Sequence, residues 1–212
     1  LTLVPSTVQS SVAFTSIARG NVAGAIVSAS ASNLLGVVLT PVLVMIAMGG
    51  SVTLSPKIFA DIAIQLLLPF VVGQLLRPLV KDFAKNKATK LVDRGSITMV
   101  VYSTFSAGMV EGIWGTVRPL ELLELVVLAV LFVGFMLWLT RAVARWLKFS
   151  DADVKAIQFC GTKKSLATGL PMAAVIFGGA NLGLLILPLM IFHQVQLMMC
   201  SFLAGRYAKQ LD

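Results

Sequence analysis

The chain is poor in the residues from which most active sites and nearly all metal centres are built. It holds one histidine and two cysteines among 212 residues. Cys160 and Cys200 both lie in apolar stretches, so they suggest small buried residues, not a disulfide framework or a zinc cluster. Acidic residues are also scarce, with nine Asp and Glu against seventeen Lys and Arg, and only 12% of the chain is charged. About 25% charge is usual for a soluble domain, and the shortage excludes that class. No glycine-rich loop has phosphate-binding spacing and no nucleophile is evident beside a base. An enzyme is therefore not expected, nor is a resident cofactor.

What is present is apolar. Hydrophobic residues make up 58% of the chain and the mean hydropathy is +0.93. Several runs reach the roughly 20 apolar residues that cross about 30 Å of hydrocarbon. The sequence predicts an all-α membrane protein with seven crossings, at about 1–17, 22–48, 59–79, 96–114, 120–139, 154–177 and 184–203. The opening "LTLVPSTVQSS" starts inside an apolar stretch with no basic flank, so the expectation is the C-terminal part of a longer chain, not a signal peptide. The net charge of +8 is read as the excess of Lys and Arg in cytoplasmic loops, not as a nucleic-acid surface. Alternation from Arg19 places thirteen basic residues on one side, with only Lys57 and Arg118 opposite and Lys163 and Lys164 unassigned. That asymmetry predicts a cytoplasmic C-terminus. The stretch "RPLVKDFAKNKATKLVDRG" reads as partly an interfacial amphipathic helix.

Two segments are too polar or too interrupted for helices that face lipid, where irregular backbone survives only against protein or water. The first contains Pro5, Ser6, Thr7, Gln9, Ser10 and Ser11. The second, "GTKKSLATGLP", contains Gly161, Thr162, Lys163, Lys164, Ser165, Thr168, Gly169 and Pro171. Pro5, Gly161, Gly169 and Pro171 are the expected helix-breaking positions, since proline removes a donor and glycine weakens a helix. A lysine at mid-membrane costs roughly 2.5–3.5 kcal/mol, and residues 166–177 alone are too short to cross, so both lysines are placed near the centre. Such paired broken segments point to a secondary transporter's binding region. Each is followed by a short loop and a long span, as in two related units crossing at the bilayer centre. Gln9, Ser10, Ser11, Thr15, Ser30, Asn33, Thr162, Lys163, Lys164, Ser165 and His193 are the candidate lining residues. The dense small residues of "GAIVSASASNLLGVVLTP" suit a closely packed interior helix.

The stretches "PSTVQSSVAFTSIARGNVAGAIVSASASNLLGVVLTP" and "CGTKKSLATGLPMAAVIF" resemble the bile acid:sodium symporter family, in its SBF-like branch. The resemblance extends over essentially the whole chain. It implies ten transmembrane helices in two inverted repeats, of which the seven spans here would be the fourth to the tenth. Core-domain helices would occupy 1–50 and 117–212, and panel-domain helices 57–116. It also implies sodium sites built from Ser, Thr and Asn of the fourth and fifth helices and from a Glu and a Gln around the break in the ninth. By motif, Ser11 and Thr15 match and Ser30 is placed with them, while Phe159 stands where the Glu would be, Lys163 where a Gln would be, and Val12 in place of an Asn. These departures argue against the usual sodium coupling, and they suggest Lys163 or Lys164 as a built-in positive charge, an anion ligand or a proton carrier.

The function expected is secondary transport of a small organic anion by alternating access, with sodium or a proton as the coupling ion, in the bacterial inner membrane. The partners expected are the bilayer and the solute, and no nucleic acid. The alternative is a non-transporting membrane regulator or scaffold that binds a lipid or partner in the same cavity.

Overall fold

The computed structural model describes residues 3–48, 56–76, 117–177 and 182–210, with isolated positions between 78 and 115. The described residues form helices joined by turns and short extended stretches, without strand. Among them seven helices follow in order: α1 (Val8–Ile17), α2 (Val22–Ala47), α3 (Pro56–Leu75), α4 (Pro119–Trp146), α5 (Asp151–Thr162), α6 (Leu166–Phe177) and α7 (Leu182–Lys209). Three are long and apolar enough to cross a membrane: Val22–Ala47, Pro119–Trp146 and Gly183–Lys209. The expected fourth crossing and the basic amphipathic stretch lie largely outside the described residues. The expected sixth crossing is two twelve-residue helices, α5 and α6, separated by Lys163, Lys164 and Ser165. The apolar helices make the chain an integral membrane protein.

Each boundary has a local cause. α1 begins only after Pro5 and a short extended stretch, and it ends where Arg19 turns into the left-handed region at φ 53°. Asn21 then caps α2, accepting from the Gly24 N–H at 2.9 Å. The same residue ties this corner to the start of α5, since its backbone N–H donates to Ala152 O at 2.9 Å and its side-chain amide to Asp153 Oδ1 at 2.7 Å. Asp153 lies in the exposed first turn of α5, outside the apolar part of that segment. Its hydrogen bonds from Ser150 and Asn21 hold its carboxyl below the usual carboxylate range. At α4, Pro119 opens the helix and Glu121 reaches back to the Arg118 N–H at 3.1 Å.

Packing uses small residues where helices must come close. Ala25 and Ala29 of α2, one turn apart, are fully buried against Ala156 and Cys160 of α5. This is the close backbone approach expected of the Ser/Ala-rich second span. Its other face, with Val27, Leu35, Val38 and Ile46, is exposed as a lipid-facing helix requires. A second core joins α1, α4, α5 and α7 through Phe14, Val133, Leu137, Phe159, Phe192 and Tyr207. A buried polar chain runs beside it. Gln158 donates to Leu137 O at 2.9 Å, Tyr207 donates to Gln158 Oε1 at 2.8 Å, and Arg141 donates to the Tyr207 hydroxyl. Between α1 and α5 the corner is tighter still, because a β-carbon on Gly20 would stand 2.9 Å from Thr15 Cγ2 and 3.0 Å from Lys155 Cβ.

Gly20→Leu is expected to cost about 1–3 kcal/mol by overpacking and to lower the melting temperature in detergent by several degrees. Gly205→Ala, where an added methyl meets open space within α7, is expected to leave the melting temperature unchanged or slightly higher. Equal responses would contradict the close docking of this corner.

Candidate functional site

Backbone that leaves a helix inside a membrane must find internal partners, and the two irregular segments find them in each other. The Ser165 N–H donates to Pro5 O at 2.8 Å, and Thr7 Oγ1 donates to Lys164 O at 2.9 Å. Ser6 Oγ adds a bond to Cys160 O in the last turn of α5, at 2.8 Å. Thr7 occupies the N-cap position of α1, yet its hydroxyl serves the other segment, and no side chain caps α1.

The next long helix completes each break in a similar way. At the first, the Ser6 N–H donates to Ser32 Oγ at 3.1 Å, and Asn33 Nδ2 donates to Ser6 O at 2.8 Å, both from α2. At the second, the Lys164 N–H donates to Gln196 Oε1 at 2.8 Å, and Gln196 Nε2 donates to Lys164 O at 2.7 Å, both from α7. In both cases the helix after the break supplies a donor and an acceptor to one residue's peptide groups. Gln196 is fully buried. Its amide also stands 2.9 Å from His193 Nδ1, which lies 3.2 Å from Lys164 O.

A cavity of about 380 Å³ opens beside this crossing. The first turn of α1 contributes Thr7, Val8, Gln9 and Ser10, and the first turn of α6 contributes Ser165, Leu166, Ala167 and Thr168. Asn33, His193 and Leu197 complete it. Both helices therefore present the amino ends of their dipoles to one space. Ser165 caps α6 by accepting from the Thr168 N–H at 3.2 Å. Ser10 Oγ and Thr168 Oγ1 are buried without a hydrogen-bond partner among the described residues.

The residues expected at the site thus divide. Gln9, Ser10, Asn33, Ser165 and His193 line the cavity. Ser11 and Thr15 are fully buried behind it, where Ser11 Oγ stands 3.4 Å from Ser6 Oγ. Thr162 is turned into its own helix, donating to Gln158 O at 2.8 Å. Ser30, half-buried on α2, is not a lining residue, and neither lysine side chain is. Lys163 is 1% exposed, with Nζ 3.9 Å from the centre of the Phe14 ring, whereas Lys164 is half-buried and serves the crossing through its peptide groups.

The helix-breaking assignments need correction. Pro5 does precede α1, but Gly161 lies in the last turn of α5, and Gly169 and Pro171 lie within α6. The glycines are there for proximity. A β-carbon on Gly161 would come within 2.8 Å of Thr140, and one on Gly169 within 2.6 Å of Leu189. The break falls instead on Lys163, Lys164 and Ser165, and the peptide groups of Lys164 and Ser165 have tertiary partners. Sequence reasoning placed Ser6 and Thr7 in the first broken segment without a role at the site, and it missed Gln196. Gln194, the neighbour of His193 in the chain, is exposed. The signal was available in the spacing, since residues three apart on a helix share a face and His193 and Gln196 are so placed.

Broken helices docked on each other beside a cavity with polar lining residues define a helical membrane protein with an internal site. The chain belongs to the SBF-like CPA transporter family (DUF4137), which it matches over residues 1–209. It is 49% identical over 216 residues to "Uncharacterized protein PA2026" of Pseudomonas aeruginosa, and 47% identical over 219 residues to "Putative symporter YfeH" of Escherichia coli K12. All of this chain and 65% of each relative are covered. Sodium/bile acid cotransporter 7 of Rattus norvegicus is 32% identical over 208 residues, covering 94% of this chain and 60% of the rat protein. The chain therefore spans less than two thirds of the length of these relatives.

Gln196→Leu removes the acceptor of the Lys164 N–H while Thr7 still donates to Lys164 O, and it is expected to cost about 1–3 kcal/mol, the penalty of one orphaned buried group. Gln194→Leu, on the exposed side of the same helix, is expected to change stability by less than about 0.5 kcal/mol. Denaturation in detergent checks the contrast.

Proposed function

We propose that this chain carries the solute site of a secondary transporter that moves a small organic anion by alternating access. The observation that carries this reading is the convergence of two helix amino ends, from two different broken segments, on one largely apolar cavity that Gln9, Ser10, Asn33, Thr168 and His193 supply with polar groups. Each end offers peptide N–H groups and a positive partial charge, and Ser10 and Thr168 add hydroxyls with unspent hydrogen-bonding capacity. Half-helix amino ends facing an anion at a crossing are a recurrent device of secondary transporters. The cavity volume of about 380 Å³ falls in the range of small-molecule pockets.

The way α2 completes the first break and α7 the second supports two inverted units, one containing α1 and α2 and the other α5, α6 and α7. In this reading the helices belong to a ten-helix fold, with 57–116 in a panel and the remainder in a core, the C-terminus is cytoplasmic, and the membrane is the bacterial inner one. Access alternates when the panel and core rock about the crossing. The names of the relatives speak of symport and of sodium with bile acid. For this chain the proposal extends to the charge class of the solute and not to a bile acid.

Uptake of a panel of small carboxylates and sulfonates by proteoliposomes containing the intact protein tests the reading. Ser10→Ala and Thr168→Val are each expected to raise KM for the transported anion about five- to tenfold, the equivalent of one hydrogen bond of about 1–1.5 kcal/mol. A preserved fold with no flux of any anion would favour the non-transporting scaffold.

A further inference from the structure

Resting on the transporter reading, we propose that Lys163 is a tethered cation, occupying with its ammonium the place behind the crossing that a bound monovalent cation would otherwise fill. The side chain is among the largest fully buried groups of the protein. Its Nζ has no nitrogen or oxygen partner among the described residues; the Cys200 thiol lies beside it, and it sits 3.9 Å from the centre of the Phe14 ring. That is a cation over an aromatic face, an interaction that strengthens when water is excluded. Lys163 is also the C-cap residue of α5, the end of a helix at which a positive residue is favoured. The two charges of the crossing thus separate. Helix amino ends open toward the solute cavity, and a carboxyl end is closed by the protein's own lysine.

The hydroxyls expected to hold sodium do not fit that ion here. Ser11, Phe14 and Thr15 share one inward face of α1 by their spacing, and Ser11 and Thr15 are fully buried. This face offers neutral oxygens only, and the described residues contain no group of three His, Cys, Asp or Glu that could hold a metal ion. A sodium ion would have to enter a low-dielectric region without a carboxylate and with an ammonium already on the adjoining Phe14 ring, and both terms oppose it. The thiols of Cys200 and Cys160 are the ammonium's titratable neighbours. His193 lies across the crossing, at Lys164 O, and among the described residues no other charged group touches the ammonium. The ammonium is not a solute ligand, because it does not line the cavity.

Two consequences follow for transport and binding. The wild type should take up its anion equally well in sodium and in choline media. Lys163→Ala should lose at least about tenfold in uptake, while Lys163→Arg should retain most of it. The vacated space in Lys163→Ala should accept a small alkylammonium. Millimolar n-propylammonium chloride should restore part of the flux and raise the melting temperature of that variant by about 2–4 °C, corresponding to about 1 kcal/mol of binding for a protein of this size. The wild type should not respond.

Three results would overturn the inference: uptake by the wild type that requires a sodium gradient, Lys163→Met with full activity and unchanged melting, or a wild type stabilised by sodium as strongly as the alanine variant is by propylammonium. Absence of any anion flux in the wild type would instead count against the transporter reading. The melting arm would still decide the cation's place, and Lys163→Met and Lys163→Arg supply it should Lys163→Ala fail to fold.

Discussion

The architecture depends on one exchange of hydrogen bonds, from the Ser165 N–H to Pro5 O and from Thr7 Oγ1 to Lys164 O. Without it, two stretches of unwound backbone would each carry unpaired peptide groups within the bundle, where such groups cost several kcal/mol apiece. With it, neither stretch can be moved without exposing the other. The surrounding features are arranged to hold this contact. Ser32 and Asn33 clamp Ser6 from α2, Gln196 clamps Lys164 from α7, and Gly169 allows Val4 and Leu189 to approach. Far from the crossing, the Arg19–Gly20–Asn21 corner pins the other end of α1 to the start of α5.

That constraint also explains how a membrane protein with few charged residues can build a polar site. The dipoles come from the backbone. Where the segments break, helix ends are uncovered inside the protein. Two amino ends face the cavity, while the carboxyl end of α5 faces the core that Lys163 enters. In the proposed reading, solute recognition and charge compensation rest on peptide groups, a few hydroxyls and one ammonium, with no carboxylate at the crossing among the described residues.

Much of this was legible in the sequence. The membrane class, the long second span and the existence of two abnormal segments follow from composition and from polar residues placed within apolar runs. The resemblance to bile acid:sodium symporters agrees with the family to which the chain belongs. Other features were hidden by the limits of local reasoning. Gly161, Gly169 and Pro171 looked like breakers because propensity describes an isolated helix. Here they are tolerated within α5 and α6, the two glycines being required for close approach to Thr140 and Leu189. The break went instead to a stretch in which the peptides of Lys164 and Ser165 find tertiary partners, and no local rule identifies a partner thirty residues away. The pairing of Lys163 and Lys164 was likewise misleading, since adjacent positions at an extended turn point apart. One enters the core and the other holds the crossing by its backbone. Gln196 was absent from the expected lining although it shares the helical face of His193.

The central claim is that the two docked breaks border a single solute cavity, open to one side of the membrane at a time. Cysteine accessibility at position 10 tests this most directly, because Cys160 and Cys200 are both buried and leave a low background. In Ser10→Cys, a membrane-impermeant thiol reagent is predicted to label the protein, with the transported anion changing the labelling rate by at least about fivefold. Labelling that no anion alters, or a thiol reached only by lipid-soluble reagents, would contradict the account.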